Sequence, residues 1–222
     1  MGDWHLDVTK YKRFRSAQRS LTAPLIRQLR RGALSKGAKR LGVEHLGKTL
    51  AFESEDQMGL VMDHCLYEYR EQLPGRTQNA VERLLARAPP RPGTDEAVVL
   101  AAMTKARLTL IEIERSLPDC GVEVLDVLAH EHRFIHDVAL GSSGALGVRL
   151  VARLIAPDGI VMTTGGACTC SGDDSRTIVD ALEHRFEVKT PEEFRAMNAW
   201  NRSRFDAFVL GLVSHDMLAT PP

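Results

Sequence analysis

The chain has 222 residues, of which 44% are apolar and 26% charged, a composition that supports a packed core and excludes wholesale disorder. No run approaches the roughly 20 apolar residues that a membrane-spanning helix needs. Net charge is zero, but residues 1–50 carry twelve Lys/Arg against three acids (+9), and the other 172 residues carry 17 against 26 (−9).

Lys10–Arg31 has helical character, with Leu21, Leu25 and Leu29 recurring at i+4. Pro24 is unfavourable in a helix interior and Thr22 resembles an N-cap, so the spacing predicts a short basic helix over 9–20 and a second starting near Pro24. Glycines 32, 37, 42 and 47 punctuate a weaker helical patch, and Lys48–Phe52 reads as a short strand. Ser54 with Glu55, Asp56 and Gln57 forms a capping-box pattern for a helix whose apolar face is Met58, Val61, Met62, Cys65, Leu66 and Tyr69. Leu73-Pro74-Gly75 ends it, and Thr77 is placed to cap the next. Ala88-Pro-Pro-Arg-Pro-Gly93 is the clearest linker, and the internal boundary is drawn there.

Thr94, Asp95 and Glu96 start a helix running to Ala106. Alternation from Leu108 then predicts five strands, near 108–113, 122–128, 133–140, 147–156 and 160–163, with turns at 129–132, 141–144 and Pro157-Asp158-Gly159. Connections this short require antiparallel pairing. A glycine-rich loop, Gly165–Gly172, precedes a helix over 175–186. A closing helix opens at Thr190-Pro191 and carries Phe194, Met197, Trp200, Phe205, Phe208, Val209 and Leu212 as one stripe. The fold class is therefore α+β: a basic helical region (1–88), a small antiparallel β meander or barrel with a leading helix (94–165), and C-terminal helices (166–222) that pack back on it.

Three groups of residues invite a chemical reading. His130-Glu131-His132, with His136 four residues further on, contains zinc-ligand types. The zincin pattern is absent, however, because Arg133 follows His132, and the expected context is a turn. Cys168-x-Cys170 supplies half of a tetrahedral zinc site, with His184 the nearest further ligand downstream. The basic residues Lys10, Lys12, Arg13, Arg15, Arg19, Arg27, Arg30, Arg31, Lys39 and Arg40, interleaved with Tyr11 and Phe14, suit phosphate. Ala38–Val43 resembles the centre of a helix-turn-helix, but Lys48 stands where its recognition helix needs an apolar residue. Equal and opposite charge in the remainder offers another destination for these cations, which is docking within the chain or on an acidic partner.

Residues 50–55, 62–69, Gly75-Arg-Thr77, 81–84, 122–128, 133–136 and 148–155 resemble segments of uncharacterised bacterial proteins related to carriers of the SEC-C zinc motif, over roughly residues 40–165. The resemblance implies a helical region plus a small β barrel with no established activity. Cys168-Thr-Cys170-Ser-Gly172 resembles the opening of the motif, but Val179 and Asp180 stand where its second ligand pair belongs.

The sequence therefore favours a non-enzymatic binding or adaptor protein that contacts nucleic acid or an acidic protein through its basic helices. It has no convergent catalytic set and no membrane partner, and both homo- and hetero-oligomers stay open. The alternative is a metal-binding protein or metal-dependent enzyme using zinc on the His and Cys residues above. The four cysteines lack the spacing of a disulfide framework, and Met1–Asp7 lacks the pattern of a secretory signal or myristoylation site, so a cytoplasmic location is expected.

Overall fold

A computed structural model describes residues 7–43, 45–46, 49–52, 54–73 and 76–219. Helix α1, Val8–Ile26, is capped by Asp7, whose carboxylate accepts the Lys10 amide at 2.8 Å. It runs unbroken through the expected split. Pro24 falls in the last turn, where its missing N–H removes only one helical bond, and the Thr22 hydroxyl turns back to the Gln18 carbonyl instead of capping. Helix α2, Ala33–Arg40, follows Gly32, whose φ of +83° reverses the chain.

A two-stranded ladder of β1 (His45–Leu46) and β2 (Thr49–Leu50) replaces the expected strand at 48–52, and Lys48 lies outside the described residues. Ser54 caps α3 (Glu55–Asp63) as its pattern required, accepting from the Gln57 amide. The helix then widens into a single π-helical turn, His64–Glu68. Strands β3 (Glu71–Leu73) and β4 (Arg76–Gln78) pair across the expected break, of which residues 74 and 75 are outside the described set. Thr77 lies in β4 and caps nothing. Asn79 caps α4 (Ala80–Arg87) through a reciprocal box with Glu82. Helix α5, Asp95–Met103, starts at Thr94 as its acidic first turn indicated.

Five antiparallel strands form the main sheet: β5 (Arg107–Leu117), β6 (Gly121–Asp126), β7 (Glu131–His136), β8 (Arg149–Ile155) and β9 (Met162–Thr169), in the order β7-β6-β5-β8-β9. The third strand stops at His136 because Asp137 accepts the amides of Ala139 and Leu140 and starts a short helix, α6 (Val138–Ser142). Asp158 and Gly159, both at positive φ, turn β8 into β9 as the Asp-Gly signal predicted. The fifth strand is longer than expected. It passes through Gly165 and Gly166, so most of the supposed glycine loop is an edge strand and Cys168 is a ladder residue opposite Val151. Three helices follow: α7 (Gly172–Arg185), α8 (Pro191–Ala196) and α9 (Ala199–Ala219). The expected closing helix is thus two, because Met197 adopts extended ψ, and Trp200 leaves the apolar stripe to stand 72% exposed.

Register assigns the sheet two different faces. Ile111, Ile113, Val122, Val124, Ile135, Leu150, Ala152 and Leu154 share one face and pack on each other. The opposite face, with Leu108, Leu110, Val151 and Cys168, packs against side chains from α2, α3, α7 and α9. The sheet curls until the His136 amide reaches the Val161 carbonyl at 2.8 Å, joining the ends of its two edge strands without closing a barrel ladder. Buried clusters draw on residues before and after the Pro89–Gly93 linker alike, with α1 packed on α5. Among the described residues no helix is long and apolar enough to cross a membrane.

Gly37 is buried in α2 at its closest approach to the π-turn, where a Cβ would run into Cys65 Sγ. Gly37→Ala therefore lowers unfolding free energy by about 1–3 kcal/mol through overpacking, opposite in sign to the roughly 1 kcal/mol that alanine normally adds in a helix. Chemical denaturation reads the sign, and adding Cys65→Ala restores the loss.

Candidate functional site

The cations singled out in the sequence divide into two sets. Lys10 pairs with Asp158 (2.5 Å), Arg13 with Asp95 (2.7 Å), Arg15 with Asp137 (2.9 Å) and Arg30 with Glu71 (2.7 Å). Every one of these partners lies beyond residue 50, so part of the basic excess is spent inside the fold. Arg15 is the most deeply engaged. It donates to the Thr163 carbonyl and hydroxyl and to Asp137, while Thr163 Oγ1 also donates to Asp137 at 2.8 Å. Gln18 donates to the Thr164 carbonyl at 2.6 Å. One face of α1 thereby ties the end of β7 to the outer edge of β9.

The second set comprises Lys12, Arg19, Arg27, Arg31, Lys39 and Arg40, joined by Lys36, which is equally exposed. None forms an ion pair with a described carboxylate. Lys12, Arg19 and Arg27 recur at seven and eight residues and share the outward side of α1, opposite buried Phe14, Leu21 and Leu25. Lys36, Lys39 and Arg40 lie at i, i+3 and i+4 on α2, away from buried Ala33, Gly37 and Ala38.

The histidine and cysteine candidates are not brought together. Among the described residues no group of three or more His, Cys, Asp or Glu is arranged to hold a metal ion. Cys168 and Cys170 are buried among apolar residues that include Ile178 and Leu182. His184 is exposed on α7. His130 takes the left-handed position of the β6–β7 turn (φ +50°), and exposed His132 meets Glu114 at 2.8 Å.

The most concentrated chemistry lies elsewhere and was missed in the sequence. Arg153, in the middle of β8, has a 1% exposed side chain. It contacts Asp63 (2.8 Å), Glu68 (2.9 Å) and Asp206 (3.1 Å), and lies 4.8 Å from the centre of the Tyr67 ring. The π-turn allows this convergence by presenting Tyr67 and Glu68 from one widened turn directly after Asp63. Burial opposes the guanidinium charge, but the three carboxylates hold it protonated beyond the ordinary arginine range. Burial, then the neighbouring Glu68 carboxylate, pushes Asp206 well above the usual carboxylate range. Burial also raises Asp63, against the opposing pull of Arg153. His64 is buried beside this centre with neither ring nitrogen hydrogen-bonded, and burial lowers its pKa to about 4. One legible signal was available: a lone arginine within the apolar run Leu150-Val-Ala-Arg-Leu-Ile155.

These features define an α+β protein in which a curled antiparallel sheet is coated by helices and bound to them by buried ion pairs. The chain matches the model of DUF7986, a family of unknown function, over residues 6–204, and it belongs to that family. No curated protein and no solved structure matches it.

Arg153→Met strands three buried carboxylates and is expected to cost about 3–5 kcal/mol in chemical denaturation. His64 gives a pH signature. Its folded pKa lies below the unfolded value of 6.5, so the unfolded chain binds more protons between pH 4 and 6.5 and stability falls as pH drops through that window. The loss is on the order of 3 kcal/mol. His64→Leu removes this component, so the stability difference between pH 7 and pH 5 shrinks relative to the unsubstituted protein.

Proposed function

We propose that this protein is a binding module whose outward cations on α1 and α2 contact the phosphate backbone of nucleic acid. The carrying observation is a stretch, residues 8–43, that contains no Asp or Glu and keeps seven lysines and arginines exposed and unpaired with any described carboxylate. Exposed cations held on rigid helices at turn spacing favour a polyanion, because each phosphate contact releases condensed counterions. The reading is narrower than the sequence allowed: Lys10, Arg13, Arg15 and Arg30 leave the contact surface, and Lys36 joins it. Nothing in this surface distinguishes bases, so the contact is read as electrostatic and independent of sequence.

Fluorescence anisotropy with random-sequence DNA and RNA across a potassium chloride series tests the proposal. Binding is expected at low salt and weakens steeply as salt rises. The combined substitution Lys36→Gln, Lys39→Gln and Arg40→Gln should reduce the log–log salt slope by about 2–3. Arg13→Gln, which breaks only an internal pair with Asp95, should leave the slope unchanged. Absence of binding at low salt to either polymer overturns the nucleic-acid reading and leaves an acidic protein surface as the partner.

A further inference from the structure

The curled sheet has two ends, and they differ. At the end where β5 stops and β6 starts, α6 packs so closely that a Cβ on Gly141 would run into the Leu117 carbonyl and the Gly121 backbone. At the other end, where β5 starts, the inner face opens into a cavity of about 220 Å³. Register places Arg107 and Thr109 (β5), Asp126 (β6), Arg133 (β7) and Leu154 (β8) on that inner face, and all five line the cavity. Lys105 and Arg195 complete a cationic rim around an apolar wall that includes Ile155, Val161 and Phe194.

The carboxylates here hold Arg133 and Arg195 in place and offset their charge, so the rim's surplus positive charge is carried by Lys105 and Arg107. Asp126 is buried and accepts from Thr109 Oγ1 (2.6 Å) and the Ala129 amide (3.0 Å), with its second oxygen 3.5 Å from Arg133 Nε. Glu131 bridges Arg133 and Arg195, and Arg195 also bonds the Ala129 carbonyl and Glu192. Two guanidinium groups from separate elements are thus fixed before any ligand arrives. Lys105 and Arg107 are exposed and pair with no described carboxylate. A further cation backs the wall, because Arg202 stacks on the Phe194 ring at 4.1 Å. Burial lowers its pKa against the opposing pull of Asp206, and repulsion from Arg107 lowers it further.

We propose that this open end of the sheet is a binding site for a small organic carboxylate, its anionic head on the Lys105–Arg107–Arg133–Arg195 rim and its apolar body against Leu154, Ile155, Val161 and Phe194. Planar guanidinium forks match the two oxygens of a carboxylate. The volume equals about seven waters in the liquid at about 30 Å³ each and lies below the range of drug-sized sites. It therefore suits a body of amino-acid or benzoate size. The site is independent of the α1–α2 surface, with which it shares no residue.

Protein-observed NMR with benzoate, uncharged benzamide and inorganic phosphate as probes tests this. Benzoate should shift the backbone amides of Thr109, Arg133 and Phe194 saturably at millimolar concentration, and benzamide should not. Arg107→Gln, which breaks no described ion pair, should weaken benzoate about five-fold. Ala156→Phe, at an exposed position on the lip of the cavity, should abolish the shifts while the rest of the spectrum shows an intact fold. The Lys36, Lys39 and Arg40 triple variant should bind benzoate normally, which separates this result from nucleic-acid binding. No saturable benzoate shift, shifts that persist unchanged in Ala156→Phe, or tighter binding of phosphate than of benzoate would each overturn the assignment.

Discussion

The Arg153 guanidinium joins three parts of the chain that local forces leave separate. Asp63 and Glu68 belong to the α3 and π-turn segment, Arg153 to the middle of β8, and Asp206 to α9. Taking so many charges out of water is costly, and their mutual attraction offsets that cost only when geometry and protonation cooperate. Protonation does cooperate here, because burial and Glu68 favour the neutral form of Asp206 and so reduce the excess of negative charge around one cation. An apolar core of similar volume would hold these elements together as firmly but would tolerate sliding. The charged centre fixes α3 and α9 at one position along β8, and with them the outer helical layer.

The charge imbalance along the chain has a related structural meaning. Three basic side chains of α1, and Arg30 in the turn after it, find their carboxylates in the first turn of α5, the β3 strand, the segment after β7 and the β8–β9 turn. These pairs are mostly half-exposed and individually worth little. Their value is positional, since they orient α1 so that its remaining cations face outward. The same amphipathic helix thus serves the interior with one side and presents charge with the other.

How much of this was legible in the sequence depends on range. Caps at Ser54, Thr94 and Thr190, and the Asp158-Gly159 turn, were readable because their hydrogen bonds close within a few residues. The sheet strands were readable from alternation. Pro24 misled, because its cost falls on a single hydrogen bond and carbonyl of the preceding turn, which α1 absorbs before ending at Ile26. Gly165 and Gly166 misled in the opposite direction: glycine suggests a loop, yet an edge strand with one residue at φ +110° accommodates them. The Arg153 centre and the cationic end of the sheet were not readable, because both join residues scattered over much of the chain. Only the lone charge in an apolar strand hinted at the former.

The contact of Arg15 and Gln18 with the rim of β9 covers part of an open sheet border. An open sheet offers unpaired carbonyls at its border, and a second chain can use them as a template. Here the Thr163 and Thr164 carbonyls are already occupied by side chains of α1. Because α1 precedes every strand of the sheet along the chain, ribosomal synthesis delivers the guard before the border it covers. The N-terminal helix therefore covers, from within the same chain, a stretch of border that another strand could otherwise pair with.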